Sequence, residues 1–125
     1  RIMGTDASPK SIRGALLNAE KAGVSRLIEF SVKDVFKIRE WLRDEPDHVI
    51  MNPPYGLRMG IRRIREFYEE VCRNLAEAAP KSKLTVIVSK PGMFSKALEK
   101  AGYSILSRTP VVYGRLNAMI ISAER

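Results

Sequence analysis

Four short apolar runs, each followed by a stretch of helical spacing, constrain what this chain can become more than any other feature. Arg1 to Thr5 reads as a strand, after which Ser8-Pro9 supplies an N-cap and a first helical residue. Ile12, Ala15, Leu16 and Ala19 recur at helical spacing until Gly23 closes the helix near Ala22. Leu27 to Ser31 is a second strand and Val35 to Asp44 a second helix, with Ile38, Trp41 and Leu42 on one side and Pro46 as its stop. Val49 to Met51 is the third strand. Ile61, Ile64, Phe67, Val71 and Leu75 then step by three or four through a long helix that Pro80 ends. Leu84 to Ser89 is a continuous apolar run of the kind buried on both faces of a parallel sheet. Phe94, Ala97, Leu98 and Ala101 mark a short helix ending at Gly102. Tyr103 to Arg108 and Ala118 to Ala123 are the final strands, joined by a connection containing Pro and Gly.

This order predicts an α/β fold, an open sheet with helices on both faces whose last two strands are antiparallel. Such sheets bind ligands beyond the carboxyl ends of their strands. Asp6, the Asp34 region and the segment Asn52 to Arg58 therefore fall on one rim.

The 125 residues are expected to form one domain, 1–125, that buries roughly two thirds of its unfolded surface. No apolar run approaches the ~18 residues of a membrane helix and no signal peptide opens the chain, so a soluble, cytoplasmic protein with no membrane partner is expected. A single cysteine, Cys72, and a single histidine, His48, exclude an internal disulfide and leave no zinc constellation, so no metal is expected. The balance of 22 Lys and Arg against 14 Asp and Glu, a net charge of +8, is the footprint of a polyanion binder. Positive charge is densest at Arg58, Arg62, Arg63 and Arg65, and Lys81, Lys83, Lys90, Lys96 and Lys100 recur further on. Residue 1 is Arg and leads straight into an apolar segment, which reads as a piece of a longer protein.

The segment Asn52-Pro53-Pro54-Tyr55-Gly56-Leu57-Arg58 follows the third strand directly. Two prolines cannot donate to a sheet ladder, so the strand stops here and its carbonyls are left for another partner. An exocyclic amine on a base, or an amide nitrogen, is a poor nucleophile because its lone pair is delocalised. One side-chain amide oxygen, Asn52 Oδ1, and one backbone carbonyl, that of Pro53, can accept both N–H bonds of such an amine. Accepting them aims the lone pair at an electrophile and favours the positive charge that develops as the bond forms. Tyr55 can stack on the flat group carrying the amine, and Gly56 lets the backbone come close.

The run Val49-Ile50-Met51-Asn52-Pro53-Pro54-Tyr55 resembles the substrate motif of S-adenosylmethionine-dependent amino-methyltransferases. Its extension Gly56-Leu57-Arg58 is similar to the branch that, with an N-terminal THUMP domain, methylates guanine N2 in tRNA or ribosomal RNA. Gly4-Thr5-Asp6-Ala7-Ser8-Pro9 and the helix to Asn18 resemble that family's second strand and following helix, so the resemblance spans about residues 2–123. It implies a Rossmann-like methyltransferase sheet, S-adenosylmethionine as cofactor and RNA as partner. It further implies that Asp6 bonds the cofactor's ribose hydroxyls and that Asp34 lies near its adenine amine. Asn52, Pro53, Pro54 and Tyr55 would form the catalytic loop, with Asn52 also on the cofactor side. Tyr55, Gly56, Arg58, Arg62, Arg65 and Lys90 would meet the substrate. Locally, Ser8 already supplies the helix cap and leaves the Asp6 carboxylate free, whereas Asp34 suits equally well as the N-cap of the second helix.

The family also needs a glycine-rich turn after its first strand, and the eight glycines here include no G-x-G pair. The chain thus begins at what resembles the family's second strand, without the first strand, its glycine loop or the N-terminal RNA-binding domain. In the family the first strand lies between the first and third strands of this chain. Its loss would leave a gap of about 10 Å with unpaired backbone on both sides. Two outcomes are expected: residues 2–5 and 48–51 pair directly, or a homodimer covers the exposed edges.

Two further readings compete. The same loop serves enzymes that methylate protein glutamine or DNA adenine, against which stand the +8 charge and the Gly56 to Arg58 extension. The missing glycines instead fit a non-catalytic RNA-binding module, against which stand the intact Asp6 and Asn52 to Tyr55.

Overall fold

Residues 1–54 and 60–125 are described by the computed structural model, Tyr113 by its backbone alone. The chain divides into two units, Arg1–Trp41 and Leu42–Arg125.

In the first unit β1 (Ile2–Asp6) and β2 (Ile28–Val32) form a parallel pair, with α1 (Pro9–Lys21) between them in the chain. The start of α1 is as expected: Ser8 Oγ accepts the Ser11 N–H at 3.3 Å and Pro9 occupies the first turn. Its end turns on Gly23, whose φ of 73° lets the Gly23 and Val24 N–H groups donate to the carbonyls of Glu20 and Ala19. Gly4 pairs with Phe30, and a Cβ at Gly4 would lie 2.9 Å from two ring carbons, so the phenyl covers the β1 backbone there. The second helix is much shorter than expected. Val35–Lys37 is a single 3₁₀ turn and α2 spans only Ile38–Trp41. The Trp41 indole N–H donates to the Asp34 carbonyl at 2.8 Å and closes the segment on itself. Beyond Leu42 the chain runs Arg43-Asp44-Glu45 to Pro46 and offers no further apolar residue to extend it. Only Ala19 and Ile38 are buried apolar side chains of this unit, whereas Ile2, Met3, Leu16, Leu17, Leu27 and Val32 are exposed.

The second unit holds a four-stranded sheet in the order β3 (His48–Met51), β4 (Lys83–Val88), β6 (Leu116–Glu124), β5 (Ser104–Tyr113). β3 runs parallel to β4, while β6 is antiparallel to both β4 and β5. Helices α3 (Ile61–Ala78) and α4 (Pro91–Lys100) pack on each other, and α4 packs on β5 and β6. Leu84, Val86, Val88, Ile121, Ile64, Tyr68, Val71, Cys72, Leu75, Phe94 and Leu98 form the buried core. The two faces of β4 differ from expectation. Leu84, Val86 and Val88 are sealed, but Thr85 and Ile87, opposite Ser122 and Ile120, are only half-buried. On the neighbouring β3, Ile50 is 80% exposed.

The phase of α3 is also corrected. Ile61, assigned to the buried face, is 65% exposed and Phe67 is half-buried, while Tyr68 is fully buried. The core stripe runs Ile64, Tyr68, Val71, Cys72, Leu75, the helical period taken from Ile64 rather than from Ile61. At the carboxyl end of the chain the connection expected between the last strands is itself strand. Gly114, at φ 60°, turns a hairpin directly between Tyr113 and Leu116, and Pro110 lies within β5 on the sheet's outer edge, where a missing N–H is tolerated. Since Val88 is opposite Met119, the ribbon formed by 111–113 and 116–118 runs past the end of β4 by roughly 10 Å.

β1 pairs with β2 and β3 pairs with β4, and neither has a second strand partner among the described residues. The direct pairing expected between residues 2–5 and 48–51 is not found among the described residues, which place these strands in separate sheets.

Candidate active site

In the first unit both acidic candidates stand at the carboxyl ends of strands. Asp6 closes β1 opposite Val32, and its carbonyl accepts the Lys33 N–H at 3.0 Å. Asp34 follows two residues after β2. The Asp6 carboxylate is not free as expected: Oδ1 accepts the Ser8 N–H at 2.7 Å. Ser8 caps α1 with its side chain, which leaves its own N–H to turn back on the strand end. Asp34 repeats the device, with Oδ1 accepting the Phe36 N–H at 2.9 Å as the cap of the 3₁₀ turn. The capping role of Asp34 is therefore real, and it occupies one oxygen only. Among the described residues the second carboxylate oxygen of each acid has no partner. Two such oxygens, held by short turns at one rim of a parallel pair, suit a ligand that donates hydroxyl and amine hydrogens. The donor groups of S-adenosylmethionine, a ribose diol and an adenine amine, fit that set.

In the second unit, burial alternates along β3 and continues into the loop. Val49 and Met51 are half-buried and Pro53 is buried, whereas His48, Ile50, Asn52 and Pro54 are exposed. The Pro53 ring thus continues the inward face of the strand and Asn52 the outward one. Tyr68 Oη donates to the Pro54 carbonyl at 3.2 Å, and its ring meets Phe94 edge to face, with centroids 4.9 Å apart. Tyr55, Gly56 and Arg58 lie outside the described residues.

The cationic candidates separate. Arg62 is exposed but paired with Glu66 at 3.0 Å, an i,i+4 pair of the kind worth under about 1 kcal/mol and readily exchanged for a phosphate. Arg65 is exposed, and Lys90 stands between β4 and α4 on the same rim as the Asn52 loop; neither has a side-chain partner among the described residues. Sequence reasoning missed Tyr68 and Arg115. Tyr68 was detectable as the residue four after Ile64 and four before Cys72. Arg115 falls in the connection expected between the last strands, and it lies at the tip of the ribbon that extends past β4.

Residues 1–118 match the family model UPF0020, the RMKL-like methyltransferase domain. The chain belongs to this family. The UPF0020 domain of this chain is 35% identical over 118 residues to a tRNA (guanine(6)-N2)-methyltransferase of Methanocaldococcus jannaschii, covering 93% of the chain and 31% of that protein. It is 33% identical over 126 residues to the enzyme of the same name from Archaeoglobus fulgidus, covering 97% of the chain and 30% of the relative. The chain thus spans about a third of the length of these curated relatives. In structure the UPF0020 domain matches TrmN from Thermus thermophilus with a TM-score of 0.83 at 21% identity, over 98% of the chain and 36% of that protein. A possible methylase from Clostridium difficile 630 matches with a TM-score of 0.80 at 26% identity, over 99% of the chain and 31% of that protein. The fold is the Rossmann-like methyltransferase fold that the sequence predicts.

Proposed function

We propose that this chain is the part of an RNA guanine-N2 methyltransferase that carries the cofactor carboxylates and the amine-accepting loop. One observation carries the reading: in a member of a methyltransferase family, Asn52-Pro53-Pro54 ends a parallel strand with the Pro53 ring buried and Asn52 exposed. The names of the two archaeal relatives and the net charge of +8 support RNA, tRNA foremost, over a neutral peptide.

S-adenosylmethionine, when bound, supplies the electrophilic methyl group. Asp6 and Asp34 hold its ribose hydroxyls and adenine amine through the carboxylate oxygens that the turns leave over. Asn52 Oδ1 and the Pro53 carbonyl accept the two N–H bonds of the guanine amine, directing its lone pair outward. They also stabilise the charge that grows on the nitrogen. No base is needed beforehand, because the amine proton becomes acidic only once the nitrogen is alkylated. Tyr55 stacks on a base taken out of its helix, and Arg62, Arg65 and Lys90 meet phosphates, while Gly56 and Arg58 border the base. Without a glycine-rich turn, the chain alone binds cofactor weakly and acts as an incomplete enzyme. A THUMP-type domain elsewhere in the protein selects the RNA.

The test is methyl transfer from labelled S-adenosylmethionine to bulk tRNA by the full-length protein, followed by nucleoside analysis. N2-methylguanosine that disappears in Asn52→Ala and Asp6→Ala is the expected result. Label in adenine or in protein, or no transfer at all, overturns the reading.

A further inference from the structure

The fully buried phenol of α3 has its hydroxyl on the loop that ends β3, and we propose that Tyr68 is the positioning residue that presents the Pro53 carbonyl to the substrate amine. This rests on the methyltransferase reading above and adds to it the question of how the loop holds its shape.

A phenol with no exposed surface needs an acceptor for its O–H. Its neighbours on the core stripe, Ile64, Val71, Cys72 and Leu75, and its ring partner Phe94, offer no oxygen in their side chains. The bond goes instead to the Pro54 carbonyl, fourteen residues earlier in the chain. That choice has a geometric consequence. Pro54 fixes its own φ near −65° and restricts Pro53 to extended backbone. With the Pro53 ring buried and the Pro54 carbonyl bonded to Tyr68, the peptide that bears the Pro53 carbonyl is held from both sides. Among the described residues, Asn52 Oδ1 and the Pro53 carbonyl remain as acceptors for a substrate. Phe94 in turn holds the Tyr68 ring edge to face, so the anchor ties the loop to both helices of the unit.

Tyr68→Phe removes the hydroxyl and keeps the ring, so the core survives. Two readouts test the proposal. In the chain labelled with carbonyl-¹³C proline, the Pro54 resonance should move in Tyr68→Phe; an unmoved resonance overturns the proposal whatever the activity. In the full-length protein with S-adenosylmethionine and bulk tRNA, kcat should fall about five- to tenfold, with KM for tRNA and cofactor affinity within about twofold of wild type. An unchanged kcat, or a fall matched by an equal loss of cofactor affinity, also overturns it. A moved resonance in a protein that transfers no methyl group to any RNA leaves the anchor standing and removes the methyltransferase reading, so the two failures are distinct.

Discussion

The indole N–H of Trp41 donates to the backbone carbonyl of Asp34 at 2.8 Å, seven residues earlier in the chain. With the Asp34 carboxylate bound to the Phe36 N–H at 2.9 Å, both ends of this residue are fixed from within one short segment. Trp41→Phe keeps the ring's bulk and removes the donor. It should lower S-adenosylmethionine affinity about three- to tenfold through a looser Asp34 turn, at a stability cost of about 1 kcal/mol. Calorimetric titration of the full-length protein, beside urea unfolding, measures both. Unchanged affinity would mean that Asp34 does not need this brace.

Burial pushes the Cys72 thiol from 9.0 up to about 12. Burial, aided by the neighbouring Cys72, pushes the Tyr103 hydroxyl from 10.0 to about 12. Each group keeps its proton longer in the folded chain than in the unfolded one. The stabilisation this provides is complete below about pH 9 and is lost as the pH rises through 12. Cys72→Ala should therefore flatten the decline of unfolding free energy between pH 9 and 12, even though lost packing lowers its value at pH 7 by about 1–2 kcal/mol. Urea titrations at several pH values give the slopes directly.

Arg65 and Arg115 are both exposed and without ion-pair partners among the described residues, and Arg115 tips the ribbon beyond the carboxyl end of β4. If phosphates meet them, Arg65→Ala and Arg115→Ala should each weaken tRNA binding. Each should also reduce the slope of log K against log salt by about 0.7–0.9. Fluorescence titration from 50 to about 300 mM KCl reads both quantities. A slope equal to wild type would remove the residue from the RNA interface.

Among the described residues β3 pairs on one side only, its Ile50 is 80% exposed, and no proline falls within its four residues. We expect the isolated chain to self-associate as a homodimer through the other edge of β3. Light scattering across a concentration series should show a dimer in the wild type and a shift to monomer in Ile50→Lys. A monomer at all concentrations would count against it.

Much of this was legible from local chemistry. Ser8-Pro9 and Gly23 bracket α1 because caps and left-handed closures are encoded within a few residues. Asn52-Pro53-Pro54 stops β3 because prolines cannot continue a ladder. What escaped depended on long-range geometry. Tyr68 lay within reach of the helical pattern, but its acceptor fourteen residues away did not. The hairpin after Arg108 was obscured by Pro110, whose effect depends on which edge of the sheet its nitrogen faces. The turn-closing bond of Asp6 needs the Ser8 amide to fold back, which a one-dimensional pattern does not record.

The uneven distribution of buried side chains gives any ligand of the first unit a second part to play. With Ala19 and Ile38 as its only buried apolar side chains, the segment 1–41 draws little of its order from its own interior. A molecule held at Asp6 and Asp34 would add RT ln(1 + [L]/Kd) to the stability of that segment. The methyl donor would then be a scaffold as well as a reagent, and its supply would set how much of the chain is assembled to use it.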